Sequence, residues 1–232
     1  MAQVFLGMSG GVDSAVSAAL LMRAGYEVVG VTCRFRDNAA TERAAADAAA
    51  VCSQLGIRHE TPECVGEFER CVVEPFVSSY AAGLTPSPCV GCNARCKMPA
   101  LVRVADELGC DRIATGHYAR IARLSDSGRF VVKRALDARK DQSYMLSLLS
   151  QEQLARLVLP LGAMTKAEVR VIAADLGLVA ADMAMLSGAT MLGYGLMQLP
   201  SGLLSDAWGG RKTLSLFTLL VGLSTVWFSR SD

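Results

Sequence analysis

Residues 4 to 14 constrain the fold of this chain more than any other stretch. A short apolar run, Val4 to Leu6, reads as a buried strand. It leads through Gly7 and Met8 into Ser9-Gly10-Gly11-Val12-Asp13-Ser14, and an alanine-rich helix follows. Two adjacent glycines at a strand end let the backbone turn sharply and approach a ligand closely. The next helix points its first N–H groups at that ligand, which makes an anion site. Ser9 and Ser14 add hydroxyl donors. The Walker pattern, with Gly-Lys-Ser/Thr after four spacer residues, is not the one present. An ordinary glycine-rich turn at a helix N-cap is the bland alternative. The order of strand, double glycine, acid, hydroxyl and helix favours the ligand site.

The rest of the first half repeats the alternation. Ala15–Ala24 reads as a helix stopped by Gly25, and Glu27–Cys33 as an apolar, β-branched strand. Thr41–Leu55 is an alanine-rich helix ending at Gly56, and Ile57–Thr61 a short strand candidate. Val65–Tyr80 and Pro99–Leu108 read as helices, and Asp111–Thr115 as a strand. Strands alternating with helices predict an α/β fold with a doubly wound parallel sheet. Ligands of such sheets sit at the carboxyl ends of strands. Ser9–Ser14, Cys33 and Thr115–His117 all fall at such ends and are expected to converge. Ile121–Arg134 looks like a hairpin turning at Asp126-Ser127-Gly128, and Gln151–Leu157 and Lys166–Leu176 like helices.

The 232 residues are enough for one or two domains with a real core. Net charge is +1, so no global field advertises nucleic acid. Hydrophobic residues make up 52% and mean hydropathy is +0.33, high for a soluble enzyme. The excess lies at the end. Met183 to Asp232 holds three basic and two acidic residues, and the remaining 20 of each sign lie before it. Met1 leads almost directly into a buried strand, so a secretory signal is not expected. Eight cysteines in such a context point to a reducing compartment, a cytoplasmic location and thiol chemistry.

Three further clusters carry chemistry. Thr85-Pro86-Ser87-Pro88-Cys89-Val90-Gly91-Cys92-Asn93-Ala94-Arg95-Cys96-Lys97 holds a C-x-x-C with Cys96 one helical turn on. Its prolines hold the approach extended. Arg95 and Lys97 nearby would favour thiolate, the form a nucleophile or metal ligand needs. A sulfur-transfer thiol pair fits best beside the glycine loop. A tetrahedral zinc site lacks a fourth ligand, and an iron–sulfur cluster on Cys89, Cys92 and Cys96 stays open. Incidental cysteines are the bland alternative. In Ala114-Thr115-Gly116-His117-Tyr118-Ala119-Arg120, Gly116 permits close approach to an adenine or ribose. His117 reads equally as a phosphate donor and as a structural hydrogen-bond partner. In Arg139-Lys140-Asp141-Gln142-Ser143-Tyr144, Lys140 reads as a phosphate contact or as a solvated surface lysine.

Taken together, Gly7–Ser14, Pro88–Asn93, Ala114–Arg120, Lys140–Tyr144 and Pro160-Leu161-Gly162 with Lys166, Glu168-Val169-Arg170 and Ala173 resemble the tRNA-specific 2-thiouridylase family of PP-loop ATP pyrophosphatases. The resemblance covers Met1 to about Ala181. It implies ATP-dependent 2-thiolation of the wobble uridine of tRNA through an adenylated intermediate, with ATP, Mg2+ and a sulfur-donor protein. It also implies that Gly7, Met8, Ser9, Gly10, Gly11, Val12, Asp13, Ser14, Cys33 and Gly116 bind ATP. Cys92, with Cys89, would be catalytic. Ser87, Pro88 and Cys89 would lie near the target base, and Lys140, Asp141 and Gln142 would touch tRNA. The chain departs from the family at Cys89, where some members carry an acid, at Cys96, usually apolar, and at Met98, usually Phe. The family's later Ser-Gln-x-x-Cys-Phe motif and β-rich domains do not follow Gly177-Leu178, so the chain is expected to bind ATP and not to complete thiolation unaided. Another PP-loop ATP pyrophosphatase is the nearest alternative function.

After about Ala181 the pattern changes. Met183 to Leu204 is uncharged over about 22 residues, near the length that spans a bilayer, and Thr213 to Phe228 over about 16. The polar turn between them, Ser205 to Lys212, is basic. Gly202, Leu204, Asp206, Gly209 and Arg211-Lys212 resemble the loop signature of major facilitator transporters. The segment is read as an apolar helical hairpin and fragment of such a transporter, with membrane association through it; a pair of buried core helices is the alternative. The expected organisation is residues 1–120 as the ATP-binding domain, 121–181 as a hairpin and helical segment contacting tRNA, and 182–232 as the apolar hairpin.

Overall fold

The computed structural model describes residues 2–178 and Lys212. The expected apolar hairpin of residues 182–232 lies outside them. Among the described residues no helix is long and apolar enough to cross a membrane. Met1–Val179 form one compact unit.

Apolar alternation builds the sheet. Strand β1 (Gln3–Gly7) sends Val4 and Leu6 to one face and Phe5 to the other, all fully buried. It pairs in parallel with β2 (Glu27–Val31), Leu6 standing opposite Gly30. Between them runs α1 (Val12–Arg23), which ends at Ala24 and is followed by Gly25 at φ 85°. Helix α2 (Ala39–Leu55) returns the chain to β3 (Arg58–Glu60), beside β2. It is capped at its start by the Asn38 side chain, which accepts from Thr41 N–H.

The long crossover after β3 is built from two helical stretches, neither of them α-helical throughout. Helix α3 (Val65–Phe68) passes through a wider turn at Glu69–Val73 into α4 (Glu74–Ala81). Helix α5 (Pro88–Cys92) passes through a second such turn, Asn93–Lys97, into α6 (Met98–Glu107). In each wide turn a backbone N–H donates five residues back: Glu74 to Glu69, Met98 to Asn93. The approach to Cys89 stays out of helix up to Ser87 (φ −101°, ψ 86°), and Pro88 takes the first position of α5, where its missing N–H costs nothing.

Strand β4 (Ile113–Thr115) lies on the other side of β1. The hairpin β5 (Ala119–Arg123) and β6 (Phe130–Arg134) stands apart as an antiparallel pair. Helix α7 (Gln151–Arg156), opened by a Ser150–Gln153 capping box, feeds β7 (Leu157–Val158). Helix α8 (Lys166–Asp175) opens on a second capping box, Thr165–Glu168, and packs on α1. The sheet order is β3-β2-β1-β4-β7, all parallel, so residues 157–158 share a sheet with the first strand. Strand β7 is too short to carry a sequence signal of its own.

One core layer joins Phe5, Val29, Ile113 and Leu157 to Met98, Leu101 and Ala105 of α6. The other joins Val4, Leu6 and Ala114 to Ala18 and Leu21 of α1 and to Ala48 and Cys52 of α2. Helices therefore cover both faces, and the strand ends at Gly7, Val31 and Thr115 open in one direction.

Candidate active site

The glycine loop is built around Ser14. Its hydroxyl donates to the Gly11 carbonyl at 2.9 Å and accepts from Ser9 N–H at 3.2 Å; the two serine hydroxyls lie 3.3 Å apart. Gly10 has φ 72°, and a Cβ there would come 2.8 Å from Cβ of Asp47 on α2. Only glycine satisfies both demands. Thr32 donates to the Met8 carbonyl at 3.2 Å and lies 2.8 Å from His59 Nε2, which ties the loop to the end of β2.

Asp13 stands in the first turn of α1. Its Oδ1 accepts from the Tyr118 hydroxyl at 2.8 Å and pairs with Lys166 Nζ at 2.5 Å. Tyr118 is buried, and burial followed by its bond to Asp13 pushes its phenol upward. Gly116 is packed against the glycine loop itself. A Cβ there would lie 3.2 Å from the Asp13 carbonyl carbon and 3.3 Å from Ser14 N, so its close approach is to the glycine loop.

A cavity of about 390 Å3 opens beside Gly7, Met8 and Ser9 and reaches Thr32, Cys33 and the start of α2. Of the predicted ATP residues, Gly7, Met8, Ser9 and Cys33 line it. Gly10, Gly11, Val12, Asp13 and Ser14 form the loop behind. The Cys33 thiol is pushed far up, first by its hydrogen bond with Cys64 and then by burial.

A second cavity, about 530 Å3, adjoins the first. Its wall is aromatic and aliphatic, with Phe35, Phe68 and Phe76 among its lining, and Pro88, Cys89, Cys92 and His117 facing in. Phe35, Arg36 and Lys97 line both cavities. Arg36 lies over the Phe68 ring at 5.5 Å. Asn93 is buried and donates from Nδ2 to the Cys89 carbonyl at 3.0 Å, which fixes the turn that carries both thiols.

Cys89 is exposed, Cys92 half-buried and Cys96 buried. Burial pushes the Cys92 thiol up, and Lys97 opposes it more weakly. The expected net gain in thiolate from Arg95 and Lys97 is therefore outweighed. The iron–sulfur alternative left open for Cys89, Cys92 and Cys96 gains no support: among the described residues no three metal-binding side chains gather. The three thiols differ in burial, although Cys92 lies beside Cys96.

His117 sits with Nδ1 2.8 Å from the Thr115 hydroxyl. Burial first, then Lys97, lowers its ring to about 3, so it is neutral at ordinary pH. The structural reading of His117 is met through Thr115, and the residue also lines the second cavity. Among the predicted tRNA contacts, Asp141 accepts from Ala135 N–H at 2.9 Å and from the Ser143 hydroxyl at 2.8 Å. Gln142 exchanges two bonds with the Tyr118 backbone. Both tie the hairpin down, whereas Lys140 is exposed, as is Ser87.

Sequence reasoning missed the partners of Asp13 and the shared wall. Tyr118 and Lys166 are 105 and 153 residues away from Asp13. No local spacing joins them.

A parallel sheet with cavities at its carboxyl strand ends, and a Ser-Gly-Gly-Val-Asp-Ser loop after β1, defines a doubly wound α/β protein with a glycine-loop site. The chain belongs to the tRNA methyl transferase HUP domain family, whose model matches residues 2–186. It is 48% identical over 187 residues to the tRNA-specific 2-thiouridylase MnmA of Chloroflexus aurantiacus, covering 77% of this chain and 52% of that protein. The same-named protein of Trichormus variabilis is 47% identical over 182 residues, covering 77% and 51%. The chain thus spans about half the length of the curated relatives it matches. The U34-tRNA thiolase NcsA from Methanococcus maripaludis, solved with its [4Fe-4S] cluster, shares the fold. Its TM-score is 0.50 at 21% identity over 76% of this chain and 57% of that one.

Proposed function

We propose that this chain carries the ATP-binding and uridine-activating part of a tRNA-uridine 2-sulfurtransferase. The observation that carries this reading is the pair of adjoining cavities, one at the glycine loop and one at Cys89 and Cys92, in a chain 48% identical to a tRNA-specific 2-thiouridylase. ATP occupies the loop cavity, with Gly7 to Ser14 and Cys33 around it and Gly116 supporting the loop. Mg2+ rides on its phosphates, since a small hard cation takes phosphate oxygens readily.

The aromatic cavity receives an unstacked base. Flat apolar walls suit a nucleobase face, and single-stranded RNA bases are bound by stacking on such rings. Ser87, Pro88 and Cys89 stand at its edge, and Lys140 offers phosphate contact on the outer surface. The 2-carbonyl oxygen of uridine attacks the α-phosphorus, and the bond to the β-phosphate breaks, releasing pyrophosphate with the electron pair. The outer sulfur of a persulfide on a donor protein then attacks C2, and AMP leaves with the former carbonyl oxygen. The Cys92 thiolate attacks the donor's inner sulfur, so the S–S bond breaks, the outer sulfur stays on the uridine and a Cys92–donor disulfide forms.

The test is product analysis of the purified chain with ATP, tRNA and sodium sulfide as the sulfur nucleophile. AMP and pyrophosphate in equal amounts, dependent on tRNA and reduced by Ser14→Ala, are expected. ADP and phosphate, or turnover indifferent to tRNA, would overturn the reading.

A further inference from the structure

Two cations line both cavities, Lys97 and Arg36, and Arg36 is engaged with the face of the Phe68 ring. Lys166 is paired with Asp13, and Arg34 with Asp37, Glu42 and Glu63. Lys97 has no acidic partner among the described residues. It lies in the wall shared by the two cavities. Its stem passes Gly7, where a Cβ would sit 3.7 Å from Lys97 Cε.

Its titratable neighbours are Cys33 at the end of β2, Cys92 on α5 and His117 after β4. None is a carboxylate, and His117 is neutral. Burial lowers the ammonium pKa. Lys97 is half-buried, and a partly desolvated cation without a counter-ion carries a cost. The wide turn Asn93–Lys97 explains how it gets there: the extra residue carries Lys97 round toward the Cys92 side.

An anion common to both cavities would remove that cost. One phosphate meets the requirement: the one bonded to the nucleoside on one side and to the acceptor base on the other. We propose that the Lys97 ammonium binds the α-phosphate of the nucleotide and holds it through the transfer. This rests on the reading of the loop cavity as the ATP site. When the acceptor oxygen bonds to the α-phosphorus and pyrophosphate departs, Lys97 keeps its proton and its contact. When the C2–O bond breaks, AMP takes the electron pair and its phosphate gains a negative charge. Lys97 offsets that charge where it develops. A lysine supplies a point charge with rotatable donors, suited to a phosphate whose geometry changes.

Calorimetric titration of the full chain with adenosine and with AMP separates this role from a structural one. The wild type is expected to bind AMP more tightly than adenosine. Lys97→Gln and Lys97→Met should each weaken AMP by about tenfold or more while leaving adenosine unchanged, as expected for loss of a charge-assisted bond. Lys97→Arg should restore most of the preference. An AMP-to-adenosine ratio unchanged in both neutral variants would overturn the proposal while leaving the nucleotide site standing. A wild-type chain that binds neither ligand would overturn both.

Discussion

At the residue scale, Asp13 is the most heavily committed side chain of the glycine loop. Its carboxylate satisfies a buried phenol and a lysine drawn from two distant elements. Asp13→Ala strips the Tyr118 hydroxyl of its partner, and such a buried loss costs about 1–3 kcal/mol. Chemical denaturation should show that loss, and nucleotide affinity should fall with it as the start of α1 loosens. His117 makes a different prediction. Its folded ring takes a proton only near 3, against 6.5 when unfolded. The unfolded chain therefore binds more protons between those values, and the contribution of His117 is present above 6.5 and lost as pH falls toward 3. Asp137, Asp141 and Glu168, all held low by hydrogen bonds, also lose stability in acid. The difference between wild type and His117→Gln isolates the histidine: melting midpoints should converge as pH drops through that window. A gap that stays constant would show that the ring is not held neutral.

At the element scale, the sequence was readable where local chemistry decides. Gly25 and Gly56 end α1 and α2 where expected, and the hairpin turns at Gly128. Val4 to Leu6 announced β1 through apolarity alone. One feature escaped. The wide turn after Cys92 depends on packing by buried Asn93 and Cys96, which α-helical spacing does not encode. That turn decides which side chains face the cavities, so the role of Lys97 was hidden with it. Gly162 is another long-range demand that looks local. A Cβ there would come 2.0 Å from the Ala119 carbonyl oxygen, at the start of β5. Gly162→Ala must therefore push the hairpin off the loop before α8. We expect a clear fall in melting temperature and faster proteolysis within residues 119–134; a wild-type melting curve would contradict the packing described.

At the scale of the whole molecule, the doubly wound sheet gathers residues from most of the compact unit at one edge. The loop comes from residues 7–14, Cys33 from the end of β2, the thiols from residues 89 and 92, and His117 from the end of β4. Their convergence was foreseeable, because strand–helix alternation puts all of them at carboxyl ends. The existence of two cavities with a shared wall was not, since it depends on the tertiary placement of the helical crossover. That shared wall carries the central claim: ATP and the base meet across it, with the 2-carbonyl oxygen attacking the α-phosphorus. The most direct measurement uses tRNA whose wobble uridine carries 18O at the 2-position, incubated with the chain, ATP and sodium sulfide in ordinary water. The AMP formed should contain one 18O in its phosphate, as mass spectrometry would read. AMP free of the label, formed alongside pyrophosphate, would mean that water attacked the nucleotide and would contradict the account.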